Sequence, residues 1–249
     1  MAIDPKRGRR QLCLVLVFLL GSISLALLTV AYATENWVEA SPVRNVSWEV
    51  SNTLKNVSNS RLTGSIRLGL FRGLKTLDNG LGPRVTIIDV YTEVLQRQAS
   101  SASTIPAPVW TALVILGVFS GAWGVVSCGF ALLNISRRPV LGLSGPGGLY
   151  VWNGAQLLCQ FAAAIVFGAA FSTSLSSSVL SREDTAELKW TSNGLAWLGF
   201  SYWLLVACCF CSTVNLLLLL LLANARLGPC CLPASERRGR GEVDLSIVY

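Results

Sequence analysis

The chain has 249 residues, of which 52% are apolar and 13% are charged, with a mean hydropathy of +0.55. This composition excludes a disordered or ordinary soluble protein and indicates an integral membrane protein. The 20 Lys and Arg residues outnumber the 13 Asp and Glu residues, and the chain has no histidine, which excludes histidine-based catalysis.

Four apolar runs contain no Asp, Glu, Lys or Arg. Each exceeds the ~20 residues with which a helix crosses the ~30 Å hydrocarbon core. They predict a membrane all-α fold, a four-helix transmembrane bundle with spans at residues 12–33, 109–135, 149–171 and 196–223. The segments between them are predicted as a cytoplasmic N-terminus (1–11), an extracellular loop (34–108), a cytoplasmic turn (136–148), an extracellular loop (172–195) and a cytoplasmic tail (224–249).

The orientation follows from basic residues beside the first span, namely Lys6, Arg7, Arg9 and Arg10. Such residues stay on the cytosolic side, so both termini are predicted to be cytosolic. A basic start, an apolar run and Ala-Tyr-Ala at 31–33 also describe a cleaved secretory signal. The run at 12–33 is longer than the ~7–15 residues of a signal core, which favours a retained span.

The second span carries Gly117, Gly121 and Gly124 at helical spacing, which gives a smooth face for helix packing. The face could form a homo-oligomer or pack inside the protein's own bundle, and we favour the bundle. The third span carries Asn153 with Gln156 and Gln160 on one face. This polar stripe could line a water path or form interhelical hydrogen bonds, and the absence of charge favours the bonds.

The first extracellular loop contains two sequons, at Asn45 and Asn56, which we predict to be N-glycosylated. Alternating residues predict a strand at Ile66–Phe71, with Val85–Ile88 as a candidate partner in a small extracellular β-sheet. A short amphipathic helix should follow, with Ile87, Tyr91, Val94 and Leu95 on one face. A third sequon at Asn134 falls on the predicted cytosolic side.

The predicted cytoplasmic tail offers two further candidates. Cys230 and Cys231 follow the fourth span closely and are candidates for S-acylation, or else two idle reduced thiols. Ile247, Val248 and Tyr249 could add to a sheet edge as a C-terminal PDZ-type motif, or trail as a disordered end. The pure Leu run at 216–222 is predicted to face lipid.

Several stretches together resemble the clarin family of four-span membrane proteins. They are Ile66–Gly73 and Gly80–Gly82 in the first loop, Gly129–Asn134 and Ser144–Gly154 around spans two and three, Phe200–Leu204 at the entry to span four, and Tyr249. Two clarin paralogues carry cysteines in the first loop; this chain does not, and so looks most like the third vertebrate paralogue. The resemblance implies distant kinship with the claudin-like superfamily and a sheet built from the first loop.

The resemblance also implies a role in plasma-membrane organisation, with links to sensory perception, synapses and the actin-rich cortex. We therefore expect a non-enzymatic glycoprotein that organises junctional or cortical complexes through its outer loop and tail. Its expected partners are the lipid bilayer and unidentified membrane or scaffold proteins. The net charge of +7 does not indicate nucleic-acid binding here, because basic residues beside membrane spans set the orientation of the protein in the membrane.

The alternative functions are a channel or channel-auxiliary subunit and an intramembrane enzyme. Ion pathways usually need intramembrane charge, a carbonyl filter or broken helices. Enzymes need a nucleophile with a base, or metal ligands. The spans contain no carboxylate, so we expect no catalytic, cofactor or metal site, and no cofactor.

Overall fold

A computed structural model describes residues 5–45, 61–78, 82–96, 105–136, 146–177, 179–180, 184–185 and 189–227. Four long helices form a bundle: α1 (Pro5–Ala33), α3 (Ala107–Ser136), α4 (Pro146–Ala170) and α5 (Phe200–Leu227), with the short helix α2 (Val90–Gln96) before α3. The four helices form a closed ring, because α1 packs on α3 and α5, and α4 packs on the same two helices.

Each long helix contains a segment that is long and apolar enough to cross a membrane. These segments are Gln11–Ala33, Ala107–Ile135, Gly148–Leu175 and Phe200–Ala223. The third includes a π-helical turn at Phe171–Leu175, which carries the helix past the predicted end of the span. The predicted four-helix transmembrane bundle is confirmed.

Six strands form an antiparallel sheet above one end of the bundle. They are β1 (Val38–Ala40), β2 (Val43–Asn45), β3 (Arg61–Leu68), β4 (Arg72–Asp78), β5 (Pro83–Asp89) and β6 (Ala196–Leu198). The strands run in the order β5-β4-β3-β1-β6, and β2 pairs with β3 beyond that path. The predicted small sheet is confirmed, and it also recruits a strand from the second outer loop.

The predicted pairing of Ile66–Phe71 with Val85–Ile88 is wrong, because β4 lies between β3 and β5. The chain leaves β3 at Leu68 and turns at Gly69, whose amide donates to the Arg72 carbonyl over 2.8 Å. A Cβ on Gly69 would lie 2.7 Å from Glu35 Cα, so only glycine lets the turn approach the end of α1. The turn therefore falls inside the predicted strand.

The predicted start of span four at residue 196 is also wrong. Ala196–Leu198 pairs with β1, and the helix begins at Phe200. Gly199 passes so close to the Asn36 carbonyl that a Cβ would overlap that oxygen. This segment is uncharged and apolar, yet its backbone groups bond to the sheet, a long-range partner that local hydropathy does not reveal.

The short helix differs from its prediction as well. Ile87 belongs to β5, and α2 begins at Val90. Val90 and Val94 face the core, whereas Tyr91 and Leu95 are about half exposed. Val94 is therefore buried as predicted, and Val90 replaces Tyr91 and Leu95 on the buried face.

The core has two parts. The larger part joins the inner face of the sheet, including Ile66 and Leu68, to the outer half of the bundle. The smaller part lies at the opposite end of the helices. It includes Leu219 and Leu222, which are buried, so the Leu run at 216–222 does not face lipid throughout as predicted.

Candidate functional site

A polar layer lies within the bundle, and Ser24 of α1 is its centre. Ser24 Oγ lies 2.8 Å from Ser212 Oγ and 3.1 Å from Cys208 Sγ on α5. It also accepts hydrogen bonds from the side-chain amides of Gln156, over 3.4 Å, and Gln160, over 3.3 Å, on α4. One hydroxyl thus connects three of the four spans, and all these residues are buried.

A second polar layer is centred on Asn153 of α4. Its amide donates to Ser127 Oγ on α3 over 2.6 Å and to the Leu149 carbonyl over 2.8 Å. Its carbonyl oxygen accepts a bond of 2.8 Å from the Asn215 amide on α5. This layer connects α3, α4 and α5, so the two layers together tie all four spans.

These contacts confirm the predicted interhelical bonding of Asn153, Gln156 and Gln160. Interhelical bonds of this kind average about 0.6 kcal/mol each, since the separated helices find other partners in the membrane. The sequence analysis missed Ser24 and Asn215, although an Asn inside an otherwise apolar run is itself a signal. The layers contain only neutral groups, which can fix helix rotation but supply no acid, base or charged ligand.

The glycine face of α3 meets two different environments. A Cβ on Gly117 would overlap the Tyr32 ring of α1. A Cβ on Gly124 would lie 3.1 Å from Gln156 Nε2 and 3.3 Å from a Leu25 methyl. Gly121, one turn from Gly117, has open space where its side chain would be. Two of the three glycines thus lie against the protein's own helices, and the third lines a groove.

Two tryptophans attach the sheet to the bundle. Trp37, which is 1% exposed, donates from Nε1 to the Ala31 carbonyl over 2.8 Å. Its ring meets Phe167 of α4 edge-on, with 4.8 Å between centroids. Trp110, in the first turn of α3, donates over 2.7 Å to the Leu70 carbonyl in the β3–β4 turn. The start of β1 and the β3–β4 turn are therefore held to the ends of α1 and α3.

The two outer loops are also joined to each other. Lys75 of β4 and Asp184 of the second loop form an ion pair of 2.6 Å, and both side chains are largely buried. The Val43 amide donates to the Thr191 carbonyl over 2.9 Å, and the Thr191 amide returns the bond over the same distance. With β6, these contacts join both loops into one unit at this end of the bundle.

The outward face of the sheet carries a row of side chains in register across five strands. The row runs Trp197, Glu39, Arg67, Leu74, Ile87, from β6 to β5. At one end, Trp197 Nε1 donates to the Glu39 carboxylate over 3.3 Å. At the other end the face becomes apolar, and β5 lies at the edge of the sheet.

Strand β5 is exposed along most of its length. Val85 is 63% exposed and Ile87 is 68% exposed, both on the outward face. One side of β5 pairs with β4, and within the described residues no strand pairs with the other side. Unpaired backbone groups beside exposed apolar side chains form a ready surface for another chain.

The remaining predicted sites are less visible. Asn45 ends β2 opposite Arg61, and its side chain is not described. Asn56, the cysteines Cys230 and Cys231, and the terminal residues 247–249 lie outside the described residues. Over the ranges that are described, no group of three or more His, Cys, Asp or Glu residues could hold a metal ion.

Comparison with known proteins gives a consistent result. A family model described as "Clarin-2-like" matches residues 9–219. The chain is 28% identical to "Clarin-2" of Mus musculus over 55% of its own length and 56% of that protein, and 27% identical to "Clarin-2" of Homo sapiens over 61% and 65%. It is 27% identical to "Clarin-3" of Mus musculus over 72% and 77%.

The identities to the two paralogues are nearly equal, so they do not separate clarin-2 from clarin-3. The alignments span less than two thirds of both clarin-2 proteins. The family model nevertheless covers most of this chain, including the first three spans, most of the fourth and the strands of the sheet. The chain belongs to the clarin family.

Proposed function

We propose that this clarin is a non-enzymatic organiser of plasma-membrane complexes, with both termini in the cytosol and the sheet outside the cell. In this function the bundle is a rigid support, and the outer sheet and the tail recruit partners. The charge asymmetry of the span ends supports the orientation, since four basic residues precede the first span. Kinship with the claudin-like superfamily stays a prediction.

The observation that carries the proposal is the exposed edge formed by β5. Val85 and Ile87 project from the outward face, and Leu74 of β4 lies beside Ile87 in the same row. An extended segment of a partner could add to β5 through main-chain hydrogen bonds, while these apolar side chains provide selectivity. The two tryptophans and the Lys75–Asp184 pair hold the sheet rigid, so little entropy is lost on binding.

The polar layers of the bundle favour an organiser over a channel. The amides of Asn153, Gln156 and Gln160 are directed at hydroxyl and carbonyl groups of neighbouring helices, and none carries charge. Conduction normally uses charged rings, a carbonyl filter or broken helices to replace the hydration shell of an ion. Here the polar groups act as connections between spans. We therefore keep the channel or auxiliary-subunit function as the alternative.

Lysines on the edge strand test the proposal. A Val85→Lys/Ile87→Lys variant places two charges on the partner-facing edge without disturbing the core, because both side chains are exposed. Thr63→Lys adds charge at an exposed position of β3, away from that edge. Quantitative proximity labelling on intact cells, at matched surface levels, should show a defined set of neighbours lost with the double variant and kept with Thr63→Lys.

Two results would contradict the proposal. One is an unchanged set of neighbours for the Val85→Lys/Ile87→Lys variant. The other is ion flux through proteoliposomes of the purified protein, which would favour the channel alternative.

The tail is the second proposed contact. We expect Cys230 and Cys231 to carry acyl chains that hold the start of the tail on the inner leaflet. The residues Ile247, Val248 and Tyr249 would then be presented to PDZ-type domains of scaffold proteins. A peptide of the last ten residues should bind a panel of purified PDZ domains, and the same peptide without Tyr249 should not. Equal binding by both peptides would exclude the motif.

A further inference from the structure

Two adjoining cavities lie beside α1, the lower one between α1 and α3 and the upper one between the end of α1 and the start of β4. The lower cavity is an apolar groove of about 230 Å³ within the membrane-spanning part of the helices, lined by residues such as Leu25, Leu28, Val118 and Gly121. The upper cavity, of about 250 Å³, lies just beyond the end of α1. Tyr32 and Phe71 line both cavities, so the two form one continuous recess, apolar below and polar above.

The groove exists because of glycine at two positions on α3. Gly117 allows the Tyr32 ring to lie against the α3 backbone, and the Tyr32 hydroxyl donates to the Leu113 carbonyl over 3.0 Å. That bond holds the ring beside the junction of the lower and upper cavities, which it lines on both sides. One turn below, Gly121 has no neighbouring atom where its Cβ would be, which leaves the groove open to the bilayer.

The upper cavity places opposite charges at the membrane surface. It is lined by Thr34 and Glu35, which follow α1, and by Arg72 at the start of β4. Over the described residues, neither Glu35 nor Arg72 forms an ion pair. Asp89 lies opposite Arg72 in the sheet register, but no ion pair joins the two.

We propose that the recess binds one zwitterionic phospholipid of the outer leaflet, a phosphatidylcholine or phosphatidylethanolamine. The Arg72 guanidinium would hold the phosphate, and the Glu35 carboxylate would face the ammonium group. One acyl chain would lie in the groove between α1 and α3, on the surface left open by Gly121. A sterol offers only a hydroxyl group to this pair of charges, and phosphatidylglycerol has no cation for Glu35.

The recess is separate from the β5 edge, so this inference does not need that edge to bind a partner; its assignment to the outer leaflet rests on the proposed orientation. A bound lipid would cover the exposed side of Phe71 and fill the seam between two spans. It would make the contact between the sheet and the bundle dependent on the lipid composition of the membrane.

Photo-crosslinking of the full-length protein tests the lipid site. The protein is reconstituted with a phosphatidylcholine that carries a diazirine on its acyl chain, illuminated, and mapped by mass spectrometry. Adducts should concentrate on residues of α1 and α3 that line the groove. Gly121→Leu should reduce them by about tenfold, because the added side chain would occupy the groove and its Cβ meets open space. Gly129→Leu is the matched control, since its position on α3 is equally open and lies outside the groove.

The headgroup pair is tested separately. Arg72→Gln should reduce labelling about threefold to tenfold, whereas Arg67→Gln, at an exposed position of the neighbouring strand, should not. Unlabelled phosphatidylcholine should compete at a lower mole fraction than phosphatidylglycerol or cholesterol. Adducts spread evenly around the bundle, labelling unaffected by Gly121→Leu, or equal competition by phosphatidylglycerol or cholesterol would each overturn the proposal.

Discussion

Leu68→Asp is the substitution that most severely tests the attachment of the sheet to the bundle. Leu68 is 1% exposed and faces inward from β3, between Val38 of β1 and Gly73 of β4. Removing a buried leucine costs about 2–5 kcal/mol, and an unpaired carboxylate in its place adds several kcal/mol of desolvation. The total approaches the ~5–15 kcal/mol that stabilises a typical domain.

We therefore expect Leu68→Asp to be retained in the secretory pathway, with its glycans in the immature, endoglycosidase-sensitive form. Ser65→Asp is the matched control, because it adds the same charge to the exposed face of the same strand. The fraction of each variant at the surface is measured by biotinylation, and thermal unfolding is measured on protein purified in detergent. Normal surface delivery and an unchanged melting temperature for Leu68→Asp would refute the packing of this strand on the bundle.

Three further predictions concern the polar layers and the topology. Ser24→Ala removes the hydroxyl that joins three spans, and we expect a loss of about 1–2 kcal/mol in unfolding free energy, measured in detergent; no loss would mean that the layer adds no stability. Gln156→Leu removes one long bond of 3.4 Å, so surface level and membrane conductance should stay unchanged, and a large conductance change would favour the channel alternative. Substituting Asn45 and Asn56 together should abolish the glycosidase-sensitive mass shift, and a shift that depends on Asn134 would invert the topology.

The spans were predictable because a bilayer imposes a simple local rule. A helix in lipid must satisfy its own backbone and expose apolar side chains, so an uncharged run of sufficient length identifies it. The segment at residues 196–198 is the informative failure, since it obeys the same composition and yet pairs with β1. Hydropathy indicates that a segment avoids water. Whether residues 196–198 form a strand or a helix depends instead on β1, a partner far away in the chain.

The sequence predicted that a sheet would form, but it did not predict the order of the strands in that sheet. Alternation between Ser65 and Leu70 indicated a strand, but Gly69 lies in the turn that starts β4. The need for glycine at that position comes from the Arg72 carbonyl within the turn and also from the backbone of Glu35, in a different part of the chain. Such a close approach leaves no local pattern, so the sequence alone could not show which strand neighbours which.

The polar stripe was recognised from spacing, but its partners were not. Asn153 and Gln156 stand out because amides are rare in apolar spans. Ser24 does not, since serine is also a common small residue at helix contacts. Its central position results from the rotation of α1 relative to α4 and α5, which only the packed bundle defines.

The most direct test of the central claim is a photo-reactive amino acid placed at Ile87, in intact cells at native expression level. If β5 is the partner-facing edge, illumination should give a discrete crosslinked species of defined mass, and the same amino acid at Thr63 should give none. The absence of any adduct at Ile87, or the same adducts at both positions, would contradict the account of the outer sheet as a recruiting surface.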